Sequence, residues 1–220
     1  MGRRALRKLD PGIDLSGFCL EWQDLPQPFS AGQLFGREAP LEVEVGSGKG
    51  LFLAQASAAN PDRDYLGVEM SGRYARFAAA RLARQGQRNA KILHADAARL
   101  FAELLPATAA VAVHIYFPDP WWKKRHQKRR IISERFVRDV ERVLEPAGKL
   151  HFWTDVEAYY RSTLELIASH TSLLGPLPVP EQPAAHDLDY RTHFERRMRL
   201  HGLPVFRAEF RKGSAPAPDP

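Results

Sequence analysis

Leu41-Glu42-Val43-Glu44-Val45-Gly46-Ser47-Gly48-Lys49-Gly50 joins a short β-patterned run to a turn with glycine at every second position. Val, Leu and alternation predict a strand over Leu41–Val45. Phe52, Leu53, Ala56 and Ala59 then recur at helical spacing up to Asn60-Pro61, where proline can neither donate nor continue a helix. Strand, glycine turn and helix make the first unit of a doubly wound sheet. Working outward, residues 65–69, 91–94, 110–117 and 150–153 read as further strands. Between them, Gly72–Gln85 with Gly86 as its left-handed cap, and residues 97–105, 132–144 and 156–170, read as helices. Pro146 and Gly148 close the third of these. The expected class is α/β, Rossmann-like, with a mostly parallel sheet and helices on both faces. Residues 110–117 are the most apolar strand and are expected at its centre.

Residues 171–189 carry Pro176, Pro178, Pro180 and Pro183 and read as an ordered loop without regular structure. Residues 203–210 read as a late strand, antiparallel at the sheet edge. The expected organisation is an N-terminal arm over 1–39, one domain over 40–212 and a disordered Pro/Ala tail over 213–220. A chain of 220 residues with 44% apolar side chains suits one domain. Its one cysteine, Cys19, excludes an intrachain disulfide framework, and its eight histidines show no paired ligand spacing, so no metal is expected. Apolar runs stay well short of the roughly 20 residues that span a bilayer. Arg3, Arg4, Arg7 and Lys8 are followed by no apolar run, so a secretory signal is not expected. A cytoplasmic protein without a membrane partner is expected.

The glycine turn is one residue tighter than the dinucleotide fingerprint, and Lys49 is followed by glycine, so it is not a P-loop. Gly46, Gly48 and Gly50 let the backbone approach a ligand closely, or merely pack helix on strand. Glu44 just before the turn would repel a pyrophosphate but suits a ligand with sulfonium and ammonium groups. S-adenosylmethionine is such a ligand. Glu69 closes the second strand, where an acid can accept from ribose hydroxyls. Asp96 closes the third, near the adenine, and fits a helix cap equally well.

The most unusual segment is Tyr116-Phe117-Pro118-Asp119-Pro120-Trp121-Trp122-Lys123-Lys124-Arg125-His126-Gln127-Lys128-Arg129-Arg130. Six of its last eight residues are Lys or Arg, matching the whole net charge of +6. Aromatic platforms beside a cationic track suit a splayed-out base and its phosphates, so nucleic acid is the expected partner. Thr154 with Glu157, and Thr192 with Glu195, fit capping boxes, the preferred reading of both.

The sequence resembles the bacterial tRNA (guanine-N7)-methyltransferases of the TrmB type. The matching motifs are the glycine turn, Gly67-Val68-Glu69, Ala95-Asp96-Ala97, the Phe117 to His126 block, Phe152-Trp153-Thr154-Asp155 and Thr192-His193-Phe194-Glu195-Arg196-Arg197. They span about residues 40 to 212. His193 stands where that family usually has lysine, and Trp122 where a smaller or polar residue is common. The resemblance implies a class I S-adenosylmethionine-dependent fold, with Glu44, Glu69, Asp96 and Asp119 binding the methyl donor. It implies tRNA contacts by Lys123, Asp155, Thr192, His193, Phe194 and Glu195, with Arg125, His126, Gln127, Lys128, Arg129 and Arg130 along the RNA. The target is then guanine N7 in the tRNA variable loop.

Guanine N7 carries a free lone pair, so no proton needs removing before transfer. Asp119, fixed between two prolines, is the expected catalytic residue, acting by position and charge. Two other readings are an adenine amino-methyltransferase, for which the second proline is misplaced, and a non-catalytic RNA-binding protein. The sequence leaves monomer and homodimer open.

Overall fold

Leu41-Glu42-Val43-Glu44-Val45 alternates because its two faces meet different layers of protein: all five residues are buried. The computed structural model describes residues 6, 8–121, 124–181, 183–184 and 189–214. In chain order the elements are β1 (Cys19–Leu20), α1 (Ala31–Phe35), β2 (Leu41–Val45), α2 (Leu51–Ala59), β3 (Asp64–Glu69), α3 (Gly72–Gln85), β4 (Ala90–His94) and α4 (Ala97–Glu103). They continue with β5 (Ala110–Tyr116), α5 (Glu134–Val143), β6 (Leu144–Thr154), α6 (Glu157–His170), β7 (Leu174–Leu177), α7 (His193–Leu200) and β8 (Phe206–Arg211).

One sheet runs in the order β1-β4-β3-β2-β5-β6-β8-β7. The pairs from β1 to β6 are parallel; β8 is antiparallel to β6, and β7 to β8. The strand order reverses between β2 and β5, and such a switch opens a crevice at the carboxyl ends of the two strands. Leu100 and Phe101 of α4 and Phe136, Val137 and Val140 of α5 pack on Val43, Val113, Ile115 and Phe152 on one face. Phe52 and Leu53 of α2 and Ala75, Ala78 and Leu82 of α3 pack on Tyr65, Ile92, Tyr116 and Trp153 on the other. The apolar 110–117 run is central, as its composition predicts. Gly86 caps α3 at φ 65°, its N–H reaching the carbonyls of Leu82 and Ala83.

Several expectations need correction. β6 begins at Leu144, six residues early, because the chain enters pairing through an irregular register between Ala110 and Ala112, with Ala147 at φ 64°. Residues 174–177 form a strand despite Pro176, since an edge strand tolerates proline. This strand takes the edge, leaving β8 inside. Cys19 and Leu20 of the N-terminal segment extend the sheet by pairing with Ile92 and Leu93. Thr154 does not cap α6: Val156 is the cap residue, and Thr154 Oγ1 accepts from the Val156 N–H at 3.2 Å. No helix among the described residues is long and apolar enough to cross a membrane.

Candidate functional site

Gly46, Gly48 and Gly50 all adopt left-handed φ, at 79°, 53° and 65°. A Cβ at Gly46 would meet nothing within 4 Å, and one at Gly48 only the Gly46 carbonyl at 4.0 Å, so these two border open space. Gly50 differs. A Cβ there would lie 2.7 Å from Ala78 Cβ, so this glycine lets α2 pack on α3, the bland alternative for the turn. The Gly48 and Ser71 N–H groups donate to the two Glu69 carboxylate oxygens, each at 2.9 Å. Glu69 thus ties the turn to the start of α3, and each oxygen keeps further accepting capacity.

Glu44 is 3% exposed, and its Oε2 has no hydrogen-bond partner among the described residues. Burial, reinforced by the charge of Glu69, pushes its carboxyl up to about 8. A buried carboxylate without a counter-charge is unfavourable. A cationic ligand at the turn would supply that charge, so the residues present fit a donor carrying ammonium and sulfonium groups. Asp96 is exposed and caps α4, Oδ1 accepting from the Ala98 N–H at 2.8 Å. Capping uses one of its two oxygens.

Asp119 leaves the end of β5 between two residues in strained backbone: Phe117 at φ 52° and Trp121 at φ 42°. Left-handed non-glycine residues cost of order 1–3 kcal/mol each and persist where surroundings over-determine them. Here the Phe117 N–H donates to the Trp153 carbonyl at 2.8 Å. Arg130 Nε donates to the Pro120 carbonyl at 2.7 Å, and its guanidinium lies 4.6 Å from the Tyr159 ring centre. Arg129 sits 5.2 Å over the Trp121 ring, which also meets His126 edge-on at 5.8 Å. His126 and Arg130, both half-buried, therefore brace the loop, and Arg129 covers Trp121 from the surface; Arg125 and Arg129 are exposed. The assignments of Lys123, and of the Gln127 and Lys128 side chains, lie outside the described residues.

Across the crevice, Thr192 caps α7, its Oγ1 accepting from the Glu195 N–H at 3.0 Å. Glu195 accepts not from Thr192 but from the Arg191 N–H, at 2.7 Å, one residue earlier than a capping box requires. Its other oxygen meets Arg207 at 3.1 Å and Arg199 at 3.4 Å, and it is 3% exposed. Glu195 thus holds the turn together. The His193 ring pairs with Arg81 of α3 at 3.1 Å. Phe194 stacks on Phe117, ring centres 5.2 Å apart. Asp155, half-buried, directly follows β6. Glu44, Glu69, Asp96, Asp119 and Asp155 thus stand at the ends of five adjacent strands. Sequence reading missed Glu42, His114 and Tyr116, which form a buried chain below this site, and Arg191, which joins it from the surface; the only signal was one charged and one imidazole side chain inside apolar runs.

A family model described as "Putative methyltransferase" matches residues 38–208. The tRNA (guanine-N(7)-)-methyltransferase of Rhodopirellula baltica is 48% identical, with 97% of this chain and 81% of that protein aligned. The enzyme of the same name from Alkalilimnicola ehrlichii is 35% identical over 97% of this chain and 88% of its own. The chain belongs to the tRNA (guanine-N(7)-)-methyltransferase family. The matched residues begin before β2 and end in β8, so they take in every strand-end acid and α7. The fold is that of class I S-adenosylmethionine-dependent methyltransferases. Solved structures sharing it include the 16S rRNA methyltransferase KamB, with TM-score 0.58, 18% identity, and 84% of this chain and 94% of that one covered. The [4+2]-cyclase SpnF has TM-score 0.55 and 15% identity, covering 80% of this chain and 76% of its own. A cyclase among them shows that the fold alone does not fix the reaction.

Proposed function

We propose that this protein transfers the methyl group of S-adenosylmethionine to N7 of a guanine in the tRNA variable loop, in the cytoplasm. The observation that carries the reading is the pairing of β2 with β5. It sets the buried Glu44 carboxyl, whose Oε2 has no hydrogen-bond partner among the described residues, and the strained Asp119 loop at neighbouring strand ends. When bound, the donor supplies an electrophilic methyl on a sulfonium. Glu44 would hold its ammonium group, Glu69 its ribose hydroxyls and Asp96 its adenine side, with Gly46 and Gly48 leaving room for close backbone approach.

Asp119 accepts hydrogen bonds from guanine N1–H and N2–H₂ and offsets the positive charge that grows on the ring as N7 is alkylated. No side chain needs to take a proton, because N7 is already a lone pair. Alignment of that lone pair is the chief contribution. Lys123, Arg125, His126, Gln127 and Lys128 run along the RNA, while Arg129 and Arg130 shape the loop. Asp155 and the Thr192 to Glu195 turn close the substrate side.

Incubating unmodified tRNA with protein and labelled donor, then identifying nucleosides by mass spectrometry, tests this reading. The expected product is 7-methylguanosine. A methylated adenine would favour amino-methyl transfer, and tRNA binding without methylation would make the protein a binding module.

A further inference from the structure

We propose that Arg191 is a positioning residue that holds the Thr192–Glu195 turn against the end of β5, and that a buried chain of Glu42, His114 and Tyr116 fixes Arg191 there. The proposal rests on the reading that this turn meets the substrate guanine. Arg191 Nη1 lies 3.3 Å from the Tyr116 hydroxyl, which lies 2.9 Å from His114 Nδ1. His114 Nε2 is 2.7 Å from Glu42 Oε2, and Arg63 Nη1 is 2.6 Å from the other Glu42 oxygen. Glu42, His114 and Tyr116 are all buried.

One arrangement of protons satisfies every member. Arginine can only donate, so Arg191 donates to the Tyr116 oxygen and Arg63 to Glu42. Tyr116 then donates its hydroxyl hydrogen to Nδ1, and Nε2–H donates to Glu42. This is neutral His114, the form that burial favours by holding its pKa down despite the hydrogen bond to Glu42. A proton on Nδ1 would leave the buried Tyr116 hydroxyl hydrogen without its acceptor, which is costly. His151 stacks on His114 at 4.8 Å with an interplanar angle of 1°, and burial holds it neutral too.

The chain ends at the residue that launches the Asp119 loop. Tyr116 directly precedes Phe117-Pro118-Asp119, and its strand partner is Trp153. The Arg191 guanidinium lies 5.3 Å over the Trp153 ring, and Arg207, the partner of Glu195, 5.0 Å over it. The Arg191 N–H and Arg207 of β8 both bind Glu195, so the turn is held at two points, through the Arg191 side chain on Tyr116 at the end of β5 and through Arg207 beside Trp153. The part of the site bearing Asp119 and the part bearing Thr192 to Glu195 are therefore set by one buried network on rigid strands.

Tyr116→Phe tests this, because it keeps the ring contacts with Phe52 and Trp153, each at 5.1 Å, and removes only the hydroxyl. Arg191→Met, at an exposed position, provides a second variant that does not disturb the core. In both, hydrogen exchange at the amides of residues 191–195 should accelerate, with or without tRNA. The KM for tRNA should rise about tenfold, the scale for losing a hydrogen bond to a charged group, while kcat and donor affinity stay within about twofold. The double variant should be no worse than the poorer single one, since both act through one contact. Unchanged exchange over 191–195, a kcat loss without a KM change, or multiplying effects in the double variant would overturn the proposal. If wild-type protein makes no 7-methylguanosine, the functional reading fails, while the exchange measurement still decides whether Tyr116 holds the turn.

Discussion

Phe117 and Phe194 stack with their ring centres 5.2 Å apart and their planes 30° from parallel, joining the loop that carries Asp119 to the first turn of α7. Phe194 is 37% exposed, and Arg197 covers its ring at 4.2 Å. Such a pair contributes about 0.5–1.5 kcal/mol beyond area burial. Phe194→Ala should therefore lower thermal stability by only a few degrees yet reduce kcat/KM for tRNA about tenfold, as the Asp119 loop loses its brace. Thermal melts and steady-state kinetics check this; equal activity in the variant would reduce the stack to surface packing.

Glu44 yields a proton-linkage expectation. Its carboxyl titrates near 8 in the folded protein against 4.5 for an ordinary glutamate. Between those values the native state holds the extra proton, so the stabilisation is present below about 4.5 and is lost as pH rises through about 8. Glu44→Gln should flatten that decline. At pH 7 the free protein carries Glu44 mostly protonated, and a cationic donor favours the carboxylate, so binding should release close to one proton. Calorimetry in two buffers of different ionisation heat measures the release, which should vanish in Glu44→Gln.

The basic segment should divide by function. Arg125 is exposed, whereas Arg130 is engaged with Pro120 and Tyr159. Each phosphate contact contributes about 0.7–0.9 to the slope of log affinity against log salt. Arg125→Gln should reduce that slope by about this amount and leave turnover near normal. Arg130→Gln should leave the slope almost intact and lower turnover. Salt titrations of tRNA binding with kinetics of both variants would expose the reverse pattern.

Much of this was legible from the sequence, for a local reason. The α3 helix runs over Gly72–Gln85 and ends at Gly86, as read, because helical period and a left-handed cap are encoded within neighbouring residues. The two-residue β1 carries no period to read, and β7 was hidden by Pro176, which only edge position makes acceptable. Glu195 read as half of a capping box, but its buried partner Arg207 comes from another element. Arg191 left no signal. Its significance depends on Tyr116, 75 positions earlier, and on a histidine hidden in the most apolar strand.

Asp119 should act by charge as well as position. Asp119→Asn keeps the shape and some hydrogen bonding but loses the charge; Asp119→Ala loses both. Each should still bind tRNA through the intact basic segment, while turnover falls on the order of 10²-fold or more, the scale for one preorganised electrostatic group. Near wild-type turnover in the Asn variant would leave Asp119 a positioning role only.

Borohydride reduction followed by aniline treatment tests N7 methylation most directly, because the cationic ring of 7-methylguanosine is reducible and marks the strand for cleavage, whereas methylated adenine and methylated ribose are not. Unmodified tRNA incubated with the protein and S-adenosylmethionine should acquire one new cleavage, at a guanine of the variable loop. Methyl label incorporated into the tRNA with no aniline-sensitive site would contradict the account.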